Sequence, residues 1–106
     1  MQQAVHLESI GSLIFVKPPI LYVRVGDTVT FYSDDDKTYE IVIPNREKFF
    51  VSADGATIEI TVISPTGPTS PINNKPIGTQ KVYSVTTAAG GITDSPPKII
   101  IVGSST

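Results

Sequence analysis

The feature that most limits what this chain can fold into is the strict alternation of apolar and polar residues in short stretches. Between Ala56 and Ile63, residues Ala56, Ile58, Ile60 and Val62 fall on one side while Thr57, Glu59, Thr61 and Ile63 fall on the other. A strand turns successive side chains to opposite faces, so a period of two is what a half-buried strand requires and what a helix cannot use. Leu21, Val23 and Val25 alternate in the same way with Tyr22 and Arg24. After a turn at Gly26-Asp27, Val29 and Phe31 alternate with Thr28, Thr30 and Tyr32. The composition agrees: Ile, Val and Thr supply 14, 11 and 12 residues against five Ala and three Leu. β-Branched side chains lose rotamer freedom in helices and fit a pleated surface. The chain is therefore expected to be all-β.

Further strands are expected over Tyr39 to Ile43, Lys48 to Val51, Thr79 to Thr86 and Lys98 to Val102, with weaker ones at Val5 to Ile10 and Leu13 to Val16. Strands of this length in about one hundred residues predict a sandwich or barrel of seven or eight strands. Pro18-Pro19 breaks the pattern and lets a strand change sheets. Ser64 to Pro76 carries Pro65, Gly67, Pro68, Pro71 and Pro76, and Pro lacks the amide that a ladder needs, so this stretch is a loop. Splitting the chain there leaves two pieces too small to fold alone, so residues 1–106 are expected to form a single domain, with a linker-like tail over 103–106.

Charge and composition exclude whole classes of function. With eight Lys plus Arg, ten Asp plus Glu and a net charge of −2, the chain has no basic stripe to follow phosphates, so nucleic acid is not an expected partner. The absence of Cys removes disulfides, zinc fingers, iron–sulfur clusters and cysteine nucleophiles together. No apolar run approaches the roughly 20 residues of a membrane span, and Met1-Gln2-Gln3-Ala4 has neither the basic start nor the apolar stretch of an export signal. A soluble chain is expected.

Two segments resemble a known family. Val23-Arg24-Val25-Gly26-Asp27-Thr28-Val29-Thr30-Phe31 followed by Tyr39-Glu40-Ile41-Val42-Ile43 is similar to the cupredoxin pattern, in which a V-x-V-G-D-T-V-T-F strand pair precedes an H-N-V-V-I strand. Tyr83-Ser84-Val85, leading through Gly90 to Lys98-Ile99-Ile100-Ile101-Val102, resembles the closing strand, ligand loop and last strand of plastocyanin-type domains. The resemblance runs from about Leu13 to Val102 and implies a cupredoxin-like, Greek-key β-sandwich of seven or eight strands.

It also implies where copper ligands belong: the first His on Tyr39, the Cys on or near Thr87, the second His on or near Gly90 and the Met on or near Ser95. A blue-copper site needs a thiolate and two imidazoles, usually with a long thioether. None of the four residues is such a ligand, so neither copper nor any other cofactor is expected. The exported setting usual for this family implies a periplasmic, secreted or cell-surface protein.

The remaining candidates each have a plain structural reading. His6 alternates with Val5 and Leu7 and should face solvent beside Glu8. No nucleophile motif accompanies it, so no catalytic residue is assigned and no enzyme is expected. Asp34, Asp35 and Asp36 could give two or three of the six to eight oxygens that calcium takes, yet their spacing is not that of an EF-hand, and a solvated turn is the simpler reading. Gly90-Gly91 reads as a turn, lacking the helix and Lys of a phosphate loop. Tyr22, Tyr32, Tyr39, Phe49 and Phe50 serve the core or, if exposed together, a binding platform, with Tyr39 the position to watch. The run Ile99 to Val102 is apolar on both faces, which suits a central strand or self-association. The function expected is a non-enzymatic, metal-free structural or protein-interaction module, alone or as part of a larger exported protein, whose partner is another protein or a second copy. The alternative is an immunoglobulin-like or carbohydrate-binding adhesion sandwich, and parallel pairing of the Leu21 to Val25 strand would distinguish the first from it.

Overall fold

The computed structural model describes residues 1–51, 55–63 and 66–103, which form ten strands and no helix. The strands are β1 (Gln2–Ile10), β2 (Leu13–Lys17), β3 (Ile20–Arg24), β4 (Thr28–Ser33), β5 (Tyr39–Ile43), β6 (Ile58–Val62), β7 (Gln80–Val82), β8 (Ser84–Thr87), β9 (Ile92–Thr93) and β10 (Lys98–Gly103). One layer has the order β4-β1-β2-β9. The second consists of two ladders, β3-β10-β7 and β6-β5-β8, joined because β7 and β8 are one run of chain interrupted only at Tyr83. Lys81, Tyr83 and Val85 are all buried, so the pleat keeps its phase through the interruption.

The period of two places the core. Val5 and Leu7, Ile14 and Val16, Leu21 and Val23, Val29 and Phe31, Tyr39 and Ile41, and Ile99 and Ile101 all point inward and are buried in one cluster, which also takes in Phe49, Phe50, Val62, Ile72 and Val85. The Gly26-Asp27 turn does not close a hairpin, because β3 pairs with β10 and β4 with β1. Asp27 explains the turn: its buried carboxylate accepts the Arg24 amide at 2.9 Å and the Gln3 side-chain amide at 3.0 Å. Pro18-Pro19 does separate a strand of the first layer from one of the second.

Four expectations are corrected. The strand count is ten rather than seven or eight, partly because Thr79 to Thr86 divides at Tyr83 between two ladders and partly because Ile92–Thr93 adds to β2. Lys48 to Val51 is not a strand. Phe50 makes one isolated bridge to Ile72, and the buried Asn45 holds the Phe50 amide at 3.0 Å. The strand from Ala56 begins at Ile58. Gly103 belongs to β10, where it pairs with Arg24, while the rest of the linker-like tail, 104–106, lies outside the described residues.

The proline-rich loop runs along the open edge of β4. The hydroxyls of Thr69 and Thr66 accept the amides of Val29 and Phe31 at 3.0 and 3.1 Å. In return the amides of Thr69 and Thr66 donate to the carbonyls of the same two residues, and Ile72 donates to Asp27. An edge strand needs such cover because its bare amides and carbonyls invite pairing with other chains. Positions 64–65 of the expected loop lie outside the described residues.

Candidate functional site

The positions that the family resemblance assigns to copper sit at one end of the sandwich. Tyr39 opens β5 and faces Thr87, the last residue of β8, as its register partner. Gly90 is tied to Thr87 by a backbone hydrogen bond of 3.0 Å and has φ +84°, a conformation suited to glycine. The neighbouring Gly91 donates to the Thr87 hydroxyl at 3.0 Å, and a Cβ there would lie 3.0 Å from that hydroxyl and 3.1 Å from Ile14. Three of the four positions are thus brought together. Ser95 is exposed and lines grooves with Phe15 and with Pro96, which include none of the other three.

Tyr39 is fully buried rather than available at the surface. Its ring lies in the core, and its hydroxyl donates toward both carboxylate oxygens of Asp35 at 3.0 Å, with the Ser9 hydroxyl at 3.3 Å. Ser9 is the inward residue near the end of β1, so the phenol links the two layers. Burial, reinforced by the neighbouring Asp35 carboxylate, pushes the Tyr39 hydroxyl up to about 12. The group is a proton donor at neutral pH and a poor ligand. With a neutral phenol, a threonine, a glycine and a distant serine, the donor set offers neither the thiolate nor the imidazoles of a blue-copper centre, and no residue here fits that metal.

The three aspartates have separate fates. Asp34 pairs with His6 at 2.9 Å and Lys17 at 3.4 Å, and the hydrogen bond from His6 chiefly holds its carboxyl below the usual range. Asp35 turns inward. Burial favours its neutral form, but the Ser9 amide at 2.9 Å, the Tyr39 hydroxyl and the Lys37 amide outweigh this and lower its pKa. Asp36 occupies the left-handed region at φ 60°. The carboxylates of Asp34 and Asp35 are thus aimed at protein donors. Among the described residues no group of three or more His, Cys, Asp and Glu is placed to hold a metal ion.

His6 lies on the outer face as expected, half-exposed and stacked on Tyr32 with ring centroids 4.8 Å apart. Lys17 also bonds Glu8 at 3.1 Å, so His6, Lys17, Glu8 and Asp34 form one surface network. Of the aromatics, Phe49 and Phe50 join Tyr39 in the core, packed edge to face at 5.4 Å, and Tyr22 stands exposed. The residues that sequence reading missed here are Ser9 and Lys37. The inward phase of β1 was the signal for Ser9. Lys37 donates to the Ser9 hydroxyl at 2.9 Å and lines a cavity of about 420 Å³ with Thr38, Thr87 and Gly91.

No helix among the described residues is long and apolar enough to cross a membrane. β3 pairs in parallel with β10, the arrangement expected of a cupredoxin. No family model and no curated protein sequence matches the chain. Solved structures do. An oxidized amicyanin variant superposes with a TM-score of 0.56 at 13% identity, over 94% of this chain and 81% of that one. The reduced Cu(I) form of another amicyanin variant at pH 4 gives 0.54 at 12% identity, and the reduced state of a third gives 0.54 at 14%, both over the same shares. The chain has the cupredoxin-like β-sandwich fold and lacks the copper ligands of that fold.

Proposed function

We propose that the chain is a metal-free, non-enzymatic protein-interaction module that works outside the cytoplasm. One observation carries this reading: the place of the first copper ligand is taken by a buried phenol whose hydroxyl is held by Asp35 and Ser9. A group committed to holding two layers together contributes to stability, and the Ser9 hydroxyl beside it is already engaged by Asp35, Lys37 and Tyr39. The exposed side chains favour contact with a partner, since Tyr22, Val82 and Val102 share the outer face of the β3-β10-β7 ladder. The exported setting usual for cupredoxins supports the location.

The test is a titration of the purified chain with Cu(II), followed by visible absorption and the thermal midpoint, beside calcium and a panel of sugars. A ligand that binds only the folded state raises that midpoint. No absorption band and no shift with copper is the expected result. A stoichiometric blue chromophore with reversible redox chemistry would overturn the reading.

A further inference from the structure

Among the described residues the second layer ends in two edges with no further strand beside them. β3 closes one side of β3-β10-β7 and β6 closes the other side of β6-β5-β8. The Arg24 amide is taken by Asp27, but beyond the ladders no backbone hydrogen bond is made from Ile20–Val23 or Ile58–Val62 to any described residue. This contrasts with β4, whose edge the 66–72 segment covers. Ile58 and Ile60 point inward yet are only half-buried, opening on a groove of about 510 Å³ between β6 and Thr66–Ser70. An interior strand flanked on both sides would bury them.

Strand directions make the two edges complementary. β3 is parallel to β10, β10 antiparallel to β7, β8 antiparallel to β5 and β5 antiparallel to β6, so β6 runs opposite to β3. A second copy, displaced along the layer without being turned over, therefore lays its β3 antiparallel beside this β6. The pleat then admits few registers, because inward residues must meet inward ones. One of them sets Glu59 opposite Arg24 and Thr61 opposite Tyr22 on the outer face, with Ile60 opposite Val23 and Val62 opposite Leu21 inside. Charge favours the same match: the outer faces of β3 and β10 carry Arg24 and Lys98, and those of β5 and β6 carry Glu40 and Glu59.

We propose that the chain assembles head to tail with copies of itself, β6 of one molecule adding to β3 of the next. This deepens the interaction-module reading and rests on it. The two surfaces differ, so the contact does not close into a dimer and grows as an open chain. Because β7 and β8 share one position, the layer has five strand positions, and at about 4.8 Å apart each copy adds roughly 24 Å.

Sedimentation velocity and light scattering on the full chain, from micromolar to millimolar concentration, test the proposal. The mean mass is expected to rise without a plateau, and Glu59→Lys to weaken association by about tenfold or more at an unchanged thermal midpoint. Combining Glu59→Lys with Arg24→Glu should restore assembly. The single Glu59→Lys chain keeps a sound β3 edge, so a small admixture should cap wild-type chains and lower their mean mass. A plateau at the dimer, or association indifferent to Glu59→Lys, overturns the proposal. A monomer at every concentration also overturns it while leaving the module reading intact, since that reading stands or falls on the copper titration.

Discussion

Tyr39 and Asp35, four positions apart in the chain, are joined by the phenolic hydroxyl, which lies 3.0 Å from both carboxylate oxygens. The fold holds the phenolic proton more tightly than an unfolded chain does, with a pKa raised from 10.0 to about 12. A group whose folded pKa is raised contributes its full stability below the unfolded value and loses it as pH climbs through the folded one. Urea midpoints should therefore decline between about pH 10 and 12. Tyr39→Phe should make that decline shallower and cost about 1–3 kcal/mol at neutral pH, since the buried end of Asp35 loses its donor. An equally steep alkaline decline in the variant would refute the assignment.

Asp35 supplies the acid limb. Its pKa is lowered below 3.8, so its contribution is present above that value and fades as pH falls through the folded pKa. Thermal midpoints measured from about pH 5 to pH 2 should fall for the wild type and fall less for Asp35→Asn. Asp35→Asn should also start lower at neutral pH. A variant with the wild-type acid slope would show that the carboxylate is unimportant.

Tyr83 presents the opposite case, a buried hydroxyl with no hydrogen-bond partner among the described residues. Its ring packs edge to face on Phe31 at 5.9 Å, a contact that phenylalanine keeps. Removing an unpaired polar atom relieves a desolvation cost, so Tyr83→Phe should stabilise the fold by about 1 kcal/mol and raise the midpoint by about 4–8 °C. A lower midpoint in calorimetry would reveal a partner for the hydroxyl.

Lys81 is buried on the inward side of β7 and makes an ion pair with the exposed Glu47. The hydrogen bond from Lys81 chiefly holds the Glu47 carboxyl below its usual range. Breaking one side of such a pair strands the buried charge, whereas replacing that charge by an apolar chain of similar length is often neutral or better. Glu47→Gln should lower the denaturation midpoint and Lys81→Met should hold or raise it. The reverse order would mean that the ammonium serves some purpose beyond the pair.

Thr66 and Thr69 seal the edge of β4 through their hydroxyls. Thr66→Val and Thr69→Val should each cost about 1 kcal/mol, and serine at either position should recover most of it, because the oxygen rather than the methyl carries the bond. Amide exchange at Phe31 and Val29 reads the same event. Protection unchanged by valine would show that the backbone contacts alone suffice.

Much of this architecture was legible in the order of residues. The alternation through Leu21–Val25 and Ile58–Val62 placed strands and their inward faces, and the G-D-T element pointed to the cupredoxin-like arrangement with a parallel β3–β10 pair. What was not legible depends on neighbours distant along the chain. Thr79 to Thr86 alternates without a break, so nothing local reveals that Tyr83 hands the strand from one ladder to another. Phe49 and Phe50 are strand-formers, yet Asn45 holds them in a loop where both rings reach the core. Tyr39 was found through the resemblance, while its burial and its tie to Ser9 come only from stacking β1 over β5.

The β3–β10 pairing also sets a timetable for biosynthesis. Residues 20–24 acquire their partner only when residues 98–103 have been made, so every strand between them is synthesised before β3 is seated. Until then Leu21 and Val23 have their layer unfinished, whereas β1, β2 and β4 already possess all the strands that flank them except β9. Closing so long a loop adds an entropic barrier and favours slow folding. The nascent protein therefore passes through a stage in which β3 waits for β10 while the first layer already has its neighbours.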